Sequence, residues 1–577
     1  MRSNWARLVV CGVVGGAMLG LLALPQVALA GLAVRYVSDR YTELPSSLRT
    51  PTPAQTSYLY ANDGKTLITT FADEDRTDVP LTSVAEVMRQ AIVAAEDTRF
   101  YEHHGVDLRS VLRAIVADRS SGQTAQGAST LTMQYVRNVL KSDPSLTPAE
   151  QAAATADTPA RKVQEIRYAV ALEQSLSKEQ ILERYLNIAY FGDNAYGIYA
   201  ASRNYFSTTP DKLTLEQAAL LAGIVQSPEE DNPTVTANQP AALDRRSYVL
   251  KAMAKMGVIT DERAAQVSAS VLTLAPSAPP PVGCTAATTD WGFYCDYLVQ
   301  WWQNQAAFGT TPAQRLAALS RGGYRIVSAL DPGTQAAALK QSLSVYGYDN
   351  RRALPIAVVT PGTGRVQALA VNRHYSVDPN PGKQNGYPNT VNQLVAGSAS
   401  ISGYQSGSTF KMFTMLAALE AGYPLDTTFD APARLTTSWP ASGAGSCGGY
   451  YCPANENPSW MDGQRTMWTG FGRSVNTYFV WLEQRIGADR AVAMARKLGI
   501  TFRAAADETR ANSDAVDWGS FTLGVADTTP LDLAAAYATV AAEGMYCAPL
   551  PVMSITDTAG VSSAAANPTC QRAVSVD

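Results

Sequence analysis

Between Leu81 and about Ala275, apolar residues recur every three or four positions, the spacing of one helix face after another. In "LTSVAEVMRQAIVAAED", which begins at Leu81, one stripe runs through Val84, Val87, Met88, Ala91, Ile92 and Ala95. Ser83 and Glu86 stand ahead of it at capping-box spacing, so a helix is expected to start there and to end near Glu96. The stretch "APSAPPPVG", residues 275–283, suits neither helix nor ladder and predicts a boundary between domains. Beyond it the period shortens. "YRIVSALD" from Tyr324 and "LPIAVVTPGTGRVQALAV" from Leu354 are short runs rich in β-branched residues, the second folded about a Pro-Gly-Thr-Gly turn, and they predict strands. Helical spacing returns from Thr409 and from Asn476, so the second half mixes α and β.

Length then sets the scale, because 577 residues exceed what one core organises and imply at least two domains. A hydrophobic content of 46% is that of a globular chain, and a net charge of -4 gives no electrostatic footprint for nucleic acid. The N-terminus changes the picture more. Arg2 and Arg7 precede the uncharged run from Leu8 to Val34, long enough to cross a bilayer as a helix, which predicts a membrane anchor with the rest of the chain outside the cytoplasm. Ala28 and Ala30 also make a pattern that a signal peptidase could cleave. Six cysteines fall as close neighbours, and the expected disulfides are Cys284 with Cys295, Cys447 with Cys452, and Cys547 with Cys570. A zinc site is the rival, but the spacings are irregular and no histidine accompanies them.

The helical half carries its chemistry in carboxylates. Glu96 follows the apolar stripe, where a helix C-terminus and partial burial would both raise its pKa and suit it to act as a base. Taken alone, Glu96 and Asp97 could equally cap a helix end on the surface. His103 and His104 are adjacent and cannot easily share one ion. "GASTLTMQYVRN", residues 127–138, is dense in hydroxyls and amides, and in "RKVQE", residues 161–165, two cations precede Glu165 by one turn. "ILERYLNIAYFGDNAYGIYAA", residues 181–201, adds an aromatic-rich helix and loop.

In this order these segments resemble the peptidoglycan glycosyltransferase family. Glu96, Asp97, Phe100, His103 and Gly105 match its opening motif, followed by Gly127, Ser129, Thr130, Thr132 and Gln134, then by Arg161, Lys162 and Glu165, then by "LTLEQAALLAGIVQSP" from Leu213. One departure is "EEDNP", residues 229–233, where an aromatic more often precedes the asparagine. The resemblance implies a lysozyme-like, mainly α domain that polymerises lipid II, with Glu96 as catalytic base. It further implies that Arg161, Lys162 and a divalent metal, magnesium or manganese, near the catalytic Glu165 stabilise the departing pyrophosphate. Asp97, Phe100, His103, Ser129, Thr130, Thr132 and Gln134 would line the substrate cleft.

In the second half, "SGSTFKMF", residues 406–413, sets Ser408 and Lys411 at S-x-x-K spacing, which puts an amine beside a hydroxyl on one helical turn. Alone that spacing is common, and a serine capping a helix start explains it as well. Ser474 and Asn476 in "RSVNTYFV" supply the S-x-N partner that accompanies it in penicillin-binding proteins and β-lactamases. The region therefore resembles the transpeptidase domain of bifunctional, class A penicillin-binding proteins. That implies an α/β domain in which Ser408 is acylated by D-Ala-D-Ala stem peptides or by β-lactams, with Lys411, Ser474 and Asn476 as its catalytic partners. No Lys-Thr-Gly triplet occurs between Asn476 and Asp577, so the domain is expected to lack its C-terminal strands and to be of uncertain competence. On this resemblance the chain divides into a tip and anchor (1–40), a glycosyltransferase domain (55–270), a proline-rich connection (271–323) and an incomplete transpeptidase domain (324–577). Expected partners are lipid II, nascent glycan strands, stem peptides, the membrane, and proteins of the divisome or elongasome. A serine D,D-peptidase or β-lactamase, and a non-enzymatic cell-wall scaffold, are the competing expectations.

Overall fold

The computed structural model describes residues 48–577, apart from 51–52, 111–128, 144–145, 157, 278–280, 288–289, 377–388, 391–392, 399 and 444, together with Trp5 and Gly12. The expected anchor from Leu8 to Val34 lies outside the described residues but for Gly12, and so does Gly127. Among the described residues no helix is long and apolar enough to cross a membrane.

Two compact units form, one on Glu74–Pro279 and the other on Thr56–Asp73 with Pro280–Asp577. The helices that matter in the first are α1 (Glu86–Glu96), α2 (Leu131–Ser142), α3 (Pro159–Ser175), α4 (Lys178–Ile188), α5 (Leu215–Ile224) and α6 (Gln239–Lys255). The stripe read on α1 is its buried face, with Met88, Ala91 and Ile92 fully covered. Burying a side chain the size of Met88 or Ile92 contributes about 1.5–3 kcal/mol each. Helix α5 is apolar all round because it is central: Ala218 to Ile224 are all buried, and it packs on both α1 and α6. Helix α2 packs on α3 and α4.

The expected cap differs. Ser83 lies in a separate 3-10 turn, Leu81–Ser83, and α1 begins after Ala85 with no side-chain cap. The backbone of Ala85 instead bonds Pro210 O at 2.9 Å, a tertiary contact that spacing along the chain does not reveal.

The boundaries also differ from those expected. Strands β1 (Ser57–Tyr60) and β2 (Leu67–Phe71) join the second unit, because β1 pairs in parallel with β3 (Arg325–Ser328). Nor is the stretch 284–323 a linker: α7 (Gly292–Gln303) and the helix Pro312–Arg321 bury Phe293, Tyr294, Leu298, Trp302 and Leu319 in the core of that unit. Strands β4 (Ile356–Val359) and β5 (Val366–Ala370) form the antiparallel hairpin expected about the Pro-Gly-Thr-Gly turn, and among the described residues they form a two-stranded sheet. A four-stranded sheet has the order β6 (Val552–Thr556), β3, β1, β2. Helices α8 (Lys411–Glu420) and α9 (Asn476–Ile486) pack together on a second apolar core that includes Phe410, Phe413, Tyr478 and Phe479. All three expected disulfides are formed: Cys284–Cys295, Cys447–Cys452 and Cys547–Cys570.

Two candidate active sites

Glu96 is the last residue of α1, and the chain leaves the helix at Asp97. Its Oε2 accepts a 2.7 Å hydrogen bond from Gln134 Nε2, while Gln134 Oε1 accepts one of 3.0 Å from the Tyr185 hydroxyl. Gln134 is thereby fixed with its amide N–H toward Glu96. Tyr185 is fully buried and its ionisation is pushed far up, so it stays a donor. Burial raises the Glu96 carboxyl above the ordinary carboxylate range, opposed by the Gln134 hydrogen bond and by the charges of Arg245 and Arg137. Among the described residues Oε1 makes no hydrogen bond, which leaves that oxygen to receive a proton.

Asp97 serves the architecture. Its Oδ2 lies 2.8 Å from His103 Nε2 and accepts from the N–H of Leu131 at 3.1 Å, tying the end of α1 to the start of α2. Thr130 caps α2, accepting from Met133 N at 3.2 Å and donating to Gly105 O at 2.7 Å. Gly105 sits at φ +84°, and a Cβ there would meet the Ala169 backbone at 2.8 Å. Several residues expected to line the cleft point inward instead: Phe100 and Thr132 are fully covered, and Thr132 donates to Glu173 Oε1 at 2.5 Å. Phe100 has Lys178 Nζ at 4.5 Å from its ring centroid.

Glu165 is 1% exposed and lies between two guanidinium groups, accepting from Arg137 Nε at 2.7 Å and from Arg161 Nη1 at 2.5 Å. Arg137 also donates to Ser129 Oγ at 3.3 Å. Lys162 is exposed on α3. A divalent ion does not fit this arrangement: the carboxylate it would need is already neutralised by two cations. Among the described residues no group of three or more His, Cys, Asp and Glu side chains is placed to hold a metal. Glu165→Gln is expected to cost about 3–5 kcal/mol of stability, as for other broken buried ion pairs, and chemical denaturation measures it. Sequence reasoning missed Arg137, Tyr185 and Arg245 as parts of this site. Arg137 stands one turn after Gln134 on α2 and could have been found from that spacing. Arg245 reaches the site through tertiary packing: its Nε donates to Gly223 O at 3.1 Å where α5 and α6 touch.

In the second unit a short 3-10 turn, Gly407–Phe410, leads into α8 and leaves Ser408 exposed at its start. The turn is pressed against the chain that follows Phe521–Leu523, where a Cβ on Gly524 would meet Gly407 O at 2.0 Å. Lys411 is 1% exposed, with Nζ at 3.0 Å from Ser408 Oγ, 2.6 Å from Ser474 O, 3.0 Å from Ser474 Oγ and 2.7 Å from Asn476 Oδ1. Burial lowers its pKa to about 7. A neutral amine has two N–H donors and one lone pair. The carbonyl of Ser474 and the Asn476 oxygen can only accept, so they take the donors, and the lone pair is left for a serine O–H. Ser474 holds φ at +55°, a left-handed conformation that a non-glycine residue keeps only when its surroundings impose it. That backbone aims both its carbonyl and its hydroxyl at Lys411. The structure thus brings Ser408, Lys411, Ser474 and Asn476 together as expected.

Residues 63–254 match the family described as "Transglycosylase", and residues 355–576 match "Penicillin binding protein transpeptidase domain". Penicillin-binding protein 2D of Bacillus subtilis (strain 168) is 29% identical over 514 residues, covering 88% of this chain and 65% of that protein. Penicillin-binding protein 1A/1B of the same organism is 40% identical over 247 residues, covering 42% of this chain and 25% of that protein. Among solved structures, penicillin-binding protein 1A from Haemophilus influenzae aligns over 90% of this chain and 73% of that one, at 17% identity and a TM-score of 0.48. The chain thus spans no more than 65% of the length of these two curated relatives.

Proposed function

A chain that joins a transglycosylase domain to a penicillin-binding transpeptidase domain belongs to the bifunctional, class A penicillin-binding proteins, and on that premise we propose that it polymerises lipid II and cross-links the stem peptides of the product. The observation that carries the first half is Glu96: desolvated, oriented by Gln134 through one oxygen and, among the described residues, unbonded at the other. As a base it takes the proton of the acceptor sugar's 4-hydroxyl while that oxygen attacks the anomeric carbon of the growing strand. The bond from that carbon to undecaprenyl pyrophosphate breaks, and the pyrophosphate leaves with the electron pair. Lys162, Arg137 and Arg245 supply positive potential for that developing charge. Donor and acceptor are both lipid-borne, which is the use of an anchor at Leu8 to Val34: it confines the enzyme to the membrane that holds its substrates.

The acyl-transfer half runs through Ser408. The Lys411 amine accepts the hydroxyl proton as Oγ attacks the D-Ala-D-Ala carbonyl, then returns it to the departing D-alanine amine. An amine of a neighbouring stem resolves the acyl-enzyme, and a β-lactam would trap it. This half rests on the contacts of Lys411 with Ser408, Ser474 and Asn476. Proteins of the growth or division machinery are the partners this reading implies. The test is paired: purified chain incubated with lipid II, and separately with a fluorescent penicillin. Ser408→Ala should keep polymerisation and lose the label, and a chain that makes no glycan while folded would overturn the first half.

A further inference from the structure

Helix α9 starts at Asn476, yet Val475, which precedes it, offers no side chain to cap its free N–H groups. The cap comes from elsewhere. Asn455, 5% exposed, accepts the N–H of Thr477 on Oδ1 at 3.1 Å. Its Nδ2 lies 3.0 Å from Thr477 Oγ1, 2.8 Å from Asp462 Oδ1 and 3.2 Å from Pro432 O, and its backbone N–H donates to Ala433 O at 2.9 Å. One residue earlier, Ala454 O accepts from Asn476 Nδ2 at 3.0 Å. That bond decides which way the Asn476 amide faces, because with its nitrogen on Ala454 its oxygen must turn to Lys411, 2.7 Å away. The segment is held from the other side by the Cys447–Cys452 disulfide three residues before Asn455.

We propose that Asn455 is a positioning residue for the acyl-transfer step: by capping α9 and seating Ala454, it holds Asn476 so that its amide oxygen meets the Lys411 amine. The inference rests on the acyl-transfer reading above. Asn455 touches neither Ser408 nor a substrate and acts only through Asn476. Among the described residues Arg434 bridges Ala454 and donates to Cys452 O at 3.1 Å, and Arg465 donates to Asp462 O. Asp462 faces Asn455, and Glu483, on α9, is buried with Oε1 accepting from Thr522 N at 3.0 Å. Burial raises the Glu483 carboxyl well above the ordinary carboxylate range, and burial by itself accounts for the lowered Lys411 pKa.

The test measures the second-order rate of Ser408 acylation by a fluorescent penicillin across pH, on the full chain and on Asn455→Ala. In the variant the rate should fall by about 10- to 100-fold, the range that misplacing a reacting group brings. A second readout separates positioning from bulk stability. Losing the Asn476 oxygen destabilises the ammonium form of Lys411, so the acid limb of the pH profile should move below its wild-type midpoint. Lipid II polymerisation, which belongs to the other unit, reports that the chain is intact. A folded Asn455→Ala with wild-type rate and profile, or with a slower rate and an unmoved limb, overturns the proposal. Should that variant not fold, the exchanged pair decides: N455D should slow acylation by setting two carboxylates together, and N455D with D462N should recover most of the rate. No recovery in the pair overturns the proposal too. A wild-type chain that is never acylated defeats the acyl-transfer reading itself, and this inference with it.

Discussion

Glu96→Gln is expected to lower lipid II polymerisation by about a thousandfold, within the 10²–10⁴ that a positioned base contributes, and to leave penicillin acylation of Ser408 at the wild-type rate. The substitution keeps the shape of the side chain and removes its capacity to take a proton. Gln134 Nε2 can still donate to the new amide's oxygen, so the local fold has no reason to change. In the wild type the raised Glu96 pKa means that activity should fall with acid earlier than an ordinary carboxylate would dictate, since only the ionised form can act as base. A glycan-length assay run from pH 5 to 8 reads both effects.

Lys411→Met should be comparably damaging in the other unit, slowing acylation of Ser408 by about 10³-fold while leaving polymerisation unchanged. Methionine fills the buried channel without an amine, so the loss reports the base. For the wild type the sign of the pH dependence follows from the lowered pKa. Below about 7 the amine is protonated and has no lone pair for the serine, so the rate should rise close to tenfold per pH unit and level off above that value. Stopped-flow acylation with a chromogenic cephalosporin gives the profile.

Both chemistries stood in the sequence because each depends on residues close together along the chain. The interval between Ser408 and Lys411 is one helical turn, and the stripe of α1 delivers Glu96 to a helix end by its period alone. What escaped was carried by distant pairing. Residues 57–71 read as part of the helical half, yet β1 pairs with β3 more than 260 residues later, a choice made by sheet geometry. Phe100, Thr130 and Thr132 have side chains compatible with a cleft, and the structure uses them for packing and capping because α2 must be seated on the end of α1. The pairing of Glu165 with Arg137 comes from another helix and has no signature in the spacing around Glu165. Asn455 gave no signal, since its value lies in contacts with Asp462 and Thr477 that only the folded chain makes.

Covalent labelling tests the account most directly, because it asks whether the group of Ser408, Lys411, Ser474 and Asn476 performs chemistry. The full chain is incubated with benzylpenicillin and weighed intact by mass spectrometry, beside Ser408→Ala. The account predicts a one-equivalent adduct on the wild type, mapped to Ser408, and none on the variant. A folded wild-type chain with no adduct, or an adduct that persists in Ser408→Ala, would contradict it.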